Sequence, residues 1–411
     1  MAVVLPFRAL RPQPQLAGQV ASLPYDVLNT QEARQAASGN PNSFLHITKS
    51  EIDLPDETNP YDNSVYETAR TNLSAFISRE VLFRESKPCY YLYQLTMQGR
   101  SQTGIVALSS IDEYERDLIK KHEYTRPDKE LDRIRHISVS GAQTGNVFLA
   151  YRAQSDIDEL IANWTKVKSP VYDFTAPDQI QHTIWVINDD PTIATITELF
   201  ATKIPCTYIA DGHHRAASAA KVRQNLAGDI PDGANYFLTT LFPSNQLRIL
   251  DYNRLVTDLN GHTEEELLEG IKANFQVEPV GLEMVLPSAP HVFGMYLNKQ
   301  WYKLVAKPGT FRQDPIGQLD VTILQENLLH PLLGIGDQRT DKRIDFVGGI
   351  RGLAELERRV NSGDMAIAFS LFPVTTEQLF AIADSGQVMP PKSTWFEPKL
   401  RDGLLTHLIR E

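Results

Sequence analysis

Residues 207–215 read Thr-Tyr-Ile-Ala-Asp-Gly-His-His-Arg and run straight into Ala216-Ala217-Ser218-Ala219-Ala220-Lys221. An apolar, strand-forming stretch gives way abruptly to strong helix-forming sequence. A chain makes that change only through a tight turn, and Gly212 supplies the backbone freedom for it. The expected arrangement is a short buried strand that delivers a polar turn onto a helix N-terminus. Unpaired N–H groups and the positive end of the helix dipole make such a place favourable for anions. Arg215 adds a guanidinium fork matched to phosphate oxygens, and His213 and His214 exchange protons near neutral pH. Asp211, Gly212, His213, His214 and Arg215 therefore read as a phosphate-binding turn. The plainer alternative is a solvated helix start capped by Asp211. Asp211, His213 and His214 are also metal-ligand types, but adjacent histidines in a turn rarely face one zinc ion. A Mg2+ ion shared between Asp211 and nucleotide phosphates suits these residues better.

The chain has 411 residues, too many for one ordinary core, so two or three domains are expected. Its 42% apolar content belongs to a globular protein. Forty basic against 51 acidic side chains give a net charge of −11, which disfavours a general nucleic-acid coat. No direct nucleic-acid partner is expected. Cys89 and Cys206 stand far apart, so neither a disulfide framework nor a thiolate zinc site is expected. No apolar run reaches the length of a membrane span and the first residues lack a signal-like pattern, so a cytoplasmic location is the simplest reading.

Periodicity predicts a mixed α/β fold. Val65, Ala69, Leu73, Phe76 and Ile77 recur at helical spacing within 60–80. The aromatic run 89–95 reads as a strand with 102–108 as its hairpin partner, and Pro127 opens a helix to about Ser140. Further strands are expected at 146–151, 183–188 and 236–242, with helices at 156–164 and 191–201. Beyond a soft boundary near 250, Thr263 begins a capped acidic helix, and 291–297 with 301–306 forms a hairpin across Asn298-Lys299. A helix over 319–333, a strand over 365–371 and a helix over 376–385 follow. The expected organisation is a mixed α/β domain over 1–250 carrying the phosphate turn, and a smaller α/β domain over 251–411.

Three further clusters carry chemistry. Lys120 to Arg126 include His122 and Glu123 in a loop before the helix of Pro127, with Lys129 and Arg133 four apart on one face. Glu123 is a candidate general base and His122 a candidate acid–base group; an ordinary charged surface segment is the other reading. Near the C-terminus, Met389-Pro390-Pro391-Lys392-Ser393-Thr394-Trp395-Phe396 is a stiff polar loop fixed by aromatics. Lys392, Ser393 and Thr394 suit an anion or nucleotide contact, or the loop is a structural turn. Early in the chain, Pro24 precedes Tyr25 and Asp26, which close a helix start or touch a substrate amine. The common phosphate loop, the glycine-rich dinucleotide turn, the nucleophile elbow and the zinc helix are all missing from the sequence.

With these residues in view, the chain resembles a widespread bacterial and archaeal family of unknown function. The family's members carry a Tyr-Ile-Ala-Asp-Gly-His-His-Arg box, an earlier His-Glu-x-Thr segment, a terminal Met-Pro-x-Lys-Ser-Thr loop and an early Pro-Tyr-Asp. Here these are Tyr208–Arg215, His122–Thr125, Met389–Thr394 and Pro24–Asp26. The Asp-Gly-His-His-Arg box is also similar to the nucleotide-phosphate box of the ParB/sulfiredoxin superfamily, which includes free-serine kinases. That likeness implies a ParB/sulfiredoxin-like N-terminal domain that binds ATP or ADP through residues 211–215, with Mg2+. It implies phosphoryl transfer to a small hydroxyl metabolite, an amino acid such as serine being the first guess. Glu123 would take the hydroxyl proton with His122, His213 and His214 assisting, and Tyr25, Asp26 and Arg133 would touch substrate. A reactive cysteine, which sulfiredoxin chemistry needs, has no counterpart in this box. A ParB-like nucleotide switch engaging a protein partner is the alternative. A phosphatase or metal-dependent hydrolase using Asp211, His213, His214 and His122 is a weaker one. Oligomeric state is left open.

Overall fold

Where the first long strands form, side chains alternate between large apolar types that need cover on both faces. The computed structural model describes residues 1–226 and 228–410, and it divides into two compact units. The first comprises Met1–Leu247 with Pro398–Glu411, and the second Arg248–Glu397. Both mix helices and sheets, so the fold is mixed α/β.

The first unit is built on a nine-stranded mixed sheet. Its strands in chain order are β1 (Val4–Leu5), β2 (Tyr90–Met97), β3 (Arg100–Ser110), β4 (Ile119–Lys120), β5 (Val147–Tyr151), β6 (Tyr172–Thr175), β7 (Gln181–Ile187), β8 (Thr207–Asp211) and β9 (Tyr236–Pro243). They lie side by side as β4-β8-β5-β9-β3-β2-β7-β6, with β1 paired to β3. The central strands are buried on both faces, as their near-continuous apolar sequences require.

The main helices of this unit are α1 (Asn63–Ser78), α2 (Pro127–Ser140), α3 (Ser155–Val167), α4 (Asp190–Lys203) and α5 (His213–Asn225). Ile157 and Ile161 of α3, Ile196 and Phe200 of α4, and Ala216, Ala219 and Ala220 of α5 close one core with Leu149, Tyr151, Ile209 and Leu241 of the sheet. Full burial of a side chain the size of Phe200 contributes roughly 1.5–3 kcal/mol. α5 also packs Val222 against Ile137 of α2. A helix covered on both sides needs small residues, which explains its alanine run. α1 buries Val65, Ala69, Leu73 and Phe76, while Ile77 turns outward.

The second unit holds a six-stranded sheet whose neighbours are all antiparallel. Its strands are β10 (Tyr252–Val256), β11 (Phe275–Gly281), β12 (Val292–Leu297), β13 (Gln300–Ala306), β14 (Ile344–Gly348) and β15 (Ile367–Ser370), and its main helices α6 (Glu264–Ile271), α7 (Leu353–Asn361) and α8 (Thr376–Asp384). The hairpin β12–β13 turns through Asn298 and Lys299, both at positive φ, as tight two-residue hairpins require. Thr263 and Glu266 form the capping box of α6. The helix expected over 319–333 is shorter, Asp320–Leu324, and widens into a π-turn over Gln325–Leu329.

One boundary differs from the sequence reading. Residues 398–411 lie in the first unit, not with 251–397, because their apolar side chains find cover there. Leu400, Leu404, Leu405 and Ile409 are buried, Thr406 bridges Leu10, and His407–Leu408 pairs with Ala142–Gln143. The second unit is thus an insertion between β9 and this returning segment.

At Gly104 in β3 a Cβ would stand 2.8 Å from Thr240 Cγ2 and 2.9 Å from Phe242 Cζ. Gly104→Ala is expected to lower stability by about 1–3 kcal/mol through overpacking. A urea midpoint shifted down at unchanged m-value is the signature, and an unshifted midpoint contradicts the packing described.

Candidate functional site

The turn after β8 is made by two local irregularities. Ile209 pairs with Leu149 and Asp211 with Phe148, so Ala210 is an extra residue that bends the strand and re-aims Asp211. Gly212 then adopts φ 100°, a left-handed conformation, and is the N-cap of α5. Asp211 closes the strand and is not the cap. The N–H groups opening α5 lie at the positive end of its dipole.

Three ions meet across this turn. Lys399 Nζ donates to Asp211 Oδ2 at 3.0 Å, and Arg215 Nη2 lies 3.7 Å from Asp211 Oδ1. Burial alone would raise the Asp211 carboxyl, but Lys399 and Arg215 hold it well below the usual range. The Arg215 side chain is only 10% exposed. Burial opposes its charge, but Asp211, Asp26 and Asp402 outweigh that and raise it. Its Nη1 donates to the Asn146 carbonyl, while its Nε is buried with no hydrogen-bond partner.

The histidines have separate roles. His213 is 5% exposed, and its Nε2 accepts from the His122 backbone N–H at 3.4 Å. The proton of its neutral ring therefore sits on Nδ1, 3.7 Å from Glu123 Oε2. Burial, with His122 adding to it, lowers His213 well below the ordinary value. His122 is 2% exposed, lies edge-on to the His213 ring with centroids 4.5 Å apart, and is lowered by burial to about 4. These two rings are neutral packing and positioning groups; the catalytic roles expected for them do not suit rings sealed from solvent. His214 is partly exposed, and its Nε2 accepts from the Arg126 N–H at 2.9 Å. Burial lowers it too, so it is neutral near pH 7 and Nδ1 carries its proton.

Tyr25, Asp26 and Arg133 do come to this turn. The Arg133 guanidinium stacks over the Tyr25 ring at 3.9 Å and pairs with Asp132 at 2.7 Å. A cavity of about 30 Å³ is lined by Tyr25, Arg133, Gly145, Arg215 and Asp402 among others. A larger pocket of about 270 Å³ shares Tyr25, Arg133 and His136 with it and adds Asp26, Lys49, Glu51 and Lys129. Asp26 is exposed there, and its charge acts on both His214 and Arg215. Glu123 lines neither of these two spaces; its half-exposed carboxylate lies beside His213.

Asp402 and Lys399 were not singled out from the sequence. The available signal was the ionic run Lys399-Leu400-Arg401-Asp402, whose alternation sends Lys399 to Asp211 and Arg401 to Asp178.

Lys392, Ser393 and Thr394 belong to the second unit. Ser393 Oγ donates to the Pro390 carbonyl at 2.6 Å, and Lys392 takes φ 56° with its Nζ 5.8 Å from the Tyr252 ring. Trp395 packs on Tyr252 and on the bare Cα of Gly348, so it anchors the loop in a core. Arg254, also unforeseen, donates to the Tyr252 and Pro391 carbonyls, and burial pushes it down to about 9.

Residues 4–322 match one family model. The chain belongs to the family described as protein of unknown function, DUF1015. Among curated proteins none matches it. Three solved structures are similar over most of their length. A conserved hypothetical protein from Pyrococcus furiosus is 15% identical, with 74% of this chain and 95% of that one covered, at TM-score 0.36. A free serine kinase in complex with AMP is 13% identical, with 72% and 91% covered, at 0.35. SbnI with a C-terminal truncation, from Staphylococcus aureus, is 12% identical, with 74% and 87% covered, at 0.34.

The residues do not suit a resident metal. The Asp211 carboxylate faces Lys399 and Arg215, and among the described residues no three His, Cys, Asp or Glu side chains group as a metal-binding set. Asp211, His213, His214 and His122 therefore do not form the hydrolase centre considered from the sequence.

Removing Lys399 tests the ion cluster. Lys399→Met is expected to cost about 2 kcal/mol near neutral pH, because Asp211 loses its nearer cation. Asp211 has a depressed folded pKa, so this loss is full above the unfolded value and shrinks as pH falls below about 4. Urea unfolding near pH 7 and pH 3 reads it, and a pH-independent gap contradicts the pairing.

Proposed function

We propose that the first unit carries out nucleotide-dependent phosphoryl transfer to a small hydroxyl metabolite. The observation that carries this reading is the buried Arg215 Nε, a donor with no partner at the start of α5. An unmet buried N–H costs about 1–3 kcal/mol, which an oxygen ligand removes. The N-terminal amides of α5 and the Arg215 fork favour phosphate there, with ATP or ADP as the nucleotide. Asp211 and Lys399 hold the turn in shape.

The acceptor occupies the pocket beside the turn, between Asp26 and the cations Lys129 and Arg133. Its hydroxyl oxygen forms the new bond to phosphorus as the bond to the nucleotide's bridging oxygen breaks. The hydroxyl proton passes to Asp26, which is exposed in the pocket. His214 offers its Nδ1–H as a neutral donor. Charge stabilisation and positioning supply most of the rate in such reactions.

Arg215→Ala is expected to weaken ADP binding at least about tenfold, the worth of one charge-assisted hydrogen bond, while the protein still melts cooperatively. Calorimetric affinity unchanged in that variant removes the reading. Asp26→Asn is expected to leave binding in place and cut product formation about 100-fold or more. Mass spectrometry of a hydroxyl-metabolite mixture incubated with ATP detects the product. Binding without any product points instead to a nucleotide switch that engages a protein partner.

A further inference from the structure

Asp402 reaches the phosphate turn from the returning C-terminal segment. Its backbone bridges Ser22 in both directions, at 3.1 and 2.9 Å, which fixes it beside the loop of Tyr25 and Asp26. A Cβ on Gly145 would meet Asp402 Oδ1 at 3.1 Å and Arg215 Cδ at 3.3 Å. Both side chains therefore rest on the same bare Cα. They also line the same 30 Å³ cavity, which is the size of one water molecule.

The charged groups around this point nearly cancel. Arg133, Arg215 and Lys399 carry three positive charges against Asp26, Asp132, Asp211 and Asp402. With all four carboxylates ionised, the cluster has one negative charge too many for a site that takes a polyanion. One proton removes the excess. Asp211 is held ionised by its two cations, and Asp132 pairs with Arg133 at 2.7 Å. Asp402 differs, because no described cation pairs with it directly.

Resting on the nucleotide reading above, we infer that Asp402 is the positioning residue that sets Arg215, and that its protonation tunes the grip of the turn on phosphate. Neutral Asp402 leaves the Arg215 charge to the ligand, and ionised Asp402 competes for it. The groups facing Asp402 are Arg215 from α5, Arg133 from α2, and Tyr25 and Asp26 from the early loop. Burial raises its carboxyl to about 7, with Asp26 adding to the rise and Arg215 and Arg133 opposing it. An asparagine at this position has nearly the same shape and does not ionise.

ADP affinity of the natural protein and of Asp402→Asn, compared at about pH 6 and about pH 8, tests this; the comparison cancels the ligand's own titration. Near pH 6 the two should bind alike. Near pH 8 the variant should bind about tenfold tighter. A ratio of affinities that is the same at both pH values overturns the inference. Thermal melting gives a second readout that needs no ligand. A carboxyl raised in the folded state binds an extra proton between about pH 4 and pH 7. Stability of the natural protein relative to the variant should therefore fall as pH rises through that interval. Parallel curves overturn the assigned titration. Divergent melting curves with no ADP binding by either protein remove the nucleotide reading, and the role at phosphate with it.

Discussion

The first unit depends on the chain passing from β8 to α5 through a single left-handed residue, Gly212. That passage sets where α5 begins, and the alanine face that follows lets α5 lie flat between the sheet and α2. Once α5 is seated, the side chains of its first turn have fixed destinations. His213 goes inward against His122, Arg215 reaches Asn146, and His214 stays at the rim. A Cβ at residue 212 would also meet the Arg215 guanidinium at 3.1 Å, so glycine serves both the backbone and its neighbour. Local backbone geometry thus decides the chemistry offered to a ligand.

Electrostatics explain why so many ions gather in one place without unfolding it. Each buried charge here has an opposite charge or a hydrogen bond close by, and isolated burial would be far more costly. Lys399 with Asp211 and Arg133 with Asp132 are such pairs. The histidines solve the same problem differently, by giving up their protons. The neutral His213 ring costs little to bury and still accepts a hydrogen bond from the His122 backbone N–H. Charge is kept at Asp211, Arg215 and Lys399, which face one another.

Much of this was legible in the sequence because it is local. The strand-to-helix switch at 207–215, the hairpin turn at Asn298-Lys299 and the capping box at Thr263 are each written within a few residues. The gathering of Tyr25, Asp26 and Arg133 at the turn shows long-range assembly of residues flagged one by one. Exposure was not legible. Histidine and aspartate look alike whether buried or free, so His122 and His213 read as catalytic although packing seals them. Lys392, Ser393 and Thr394 suited phosphate by type, but Ser393 spends its hydroxyl on Pro390. Asp402 was out of reach because nothing near it in sequence names Arg215 as its neighbour.

The insertion of residues 248–397 into the first unit has a consequence for biosynthesis. Lys399, Arg401 and Asp402 emerge from the ribosome only after the whole inserted unit has been made. Until then Asp211 lacks its ammonium partner, and the edges at Leu10 and Ala142 lack the strand residues that cover them. A nascent or prematurely terminated chain therefore holds the turn at 211–215 in an unfinished state. Residues 398–410, made after the inserted unit, are what close it.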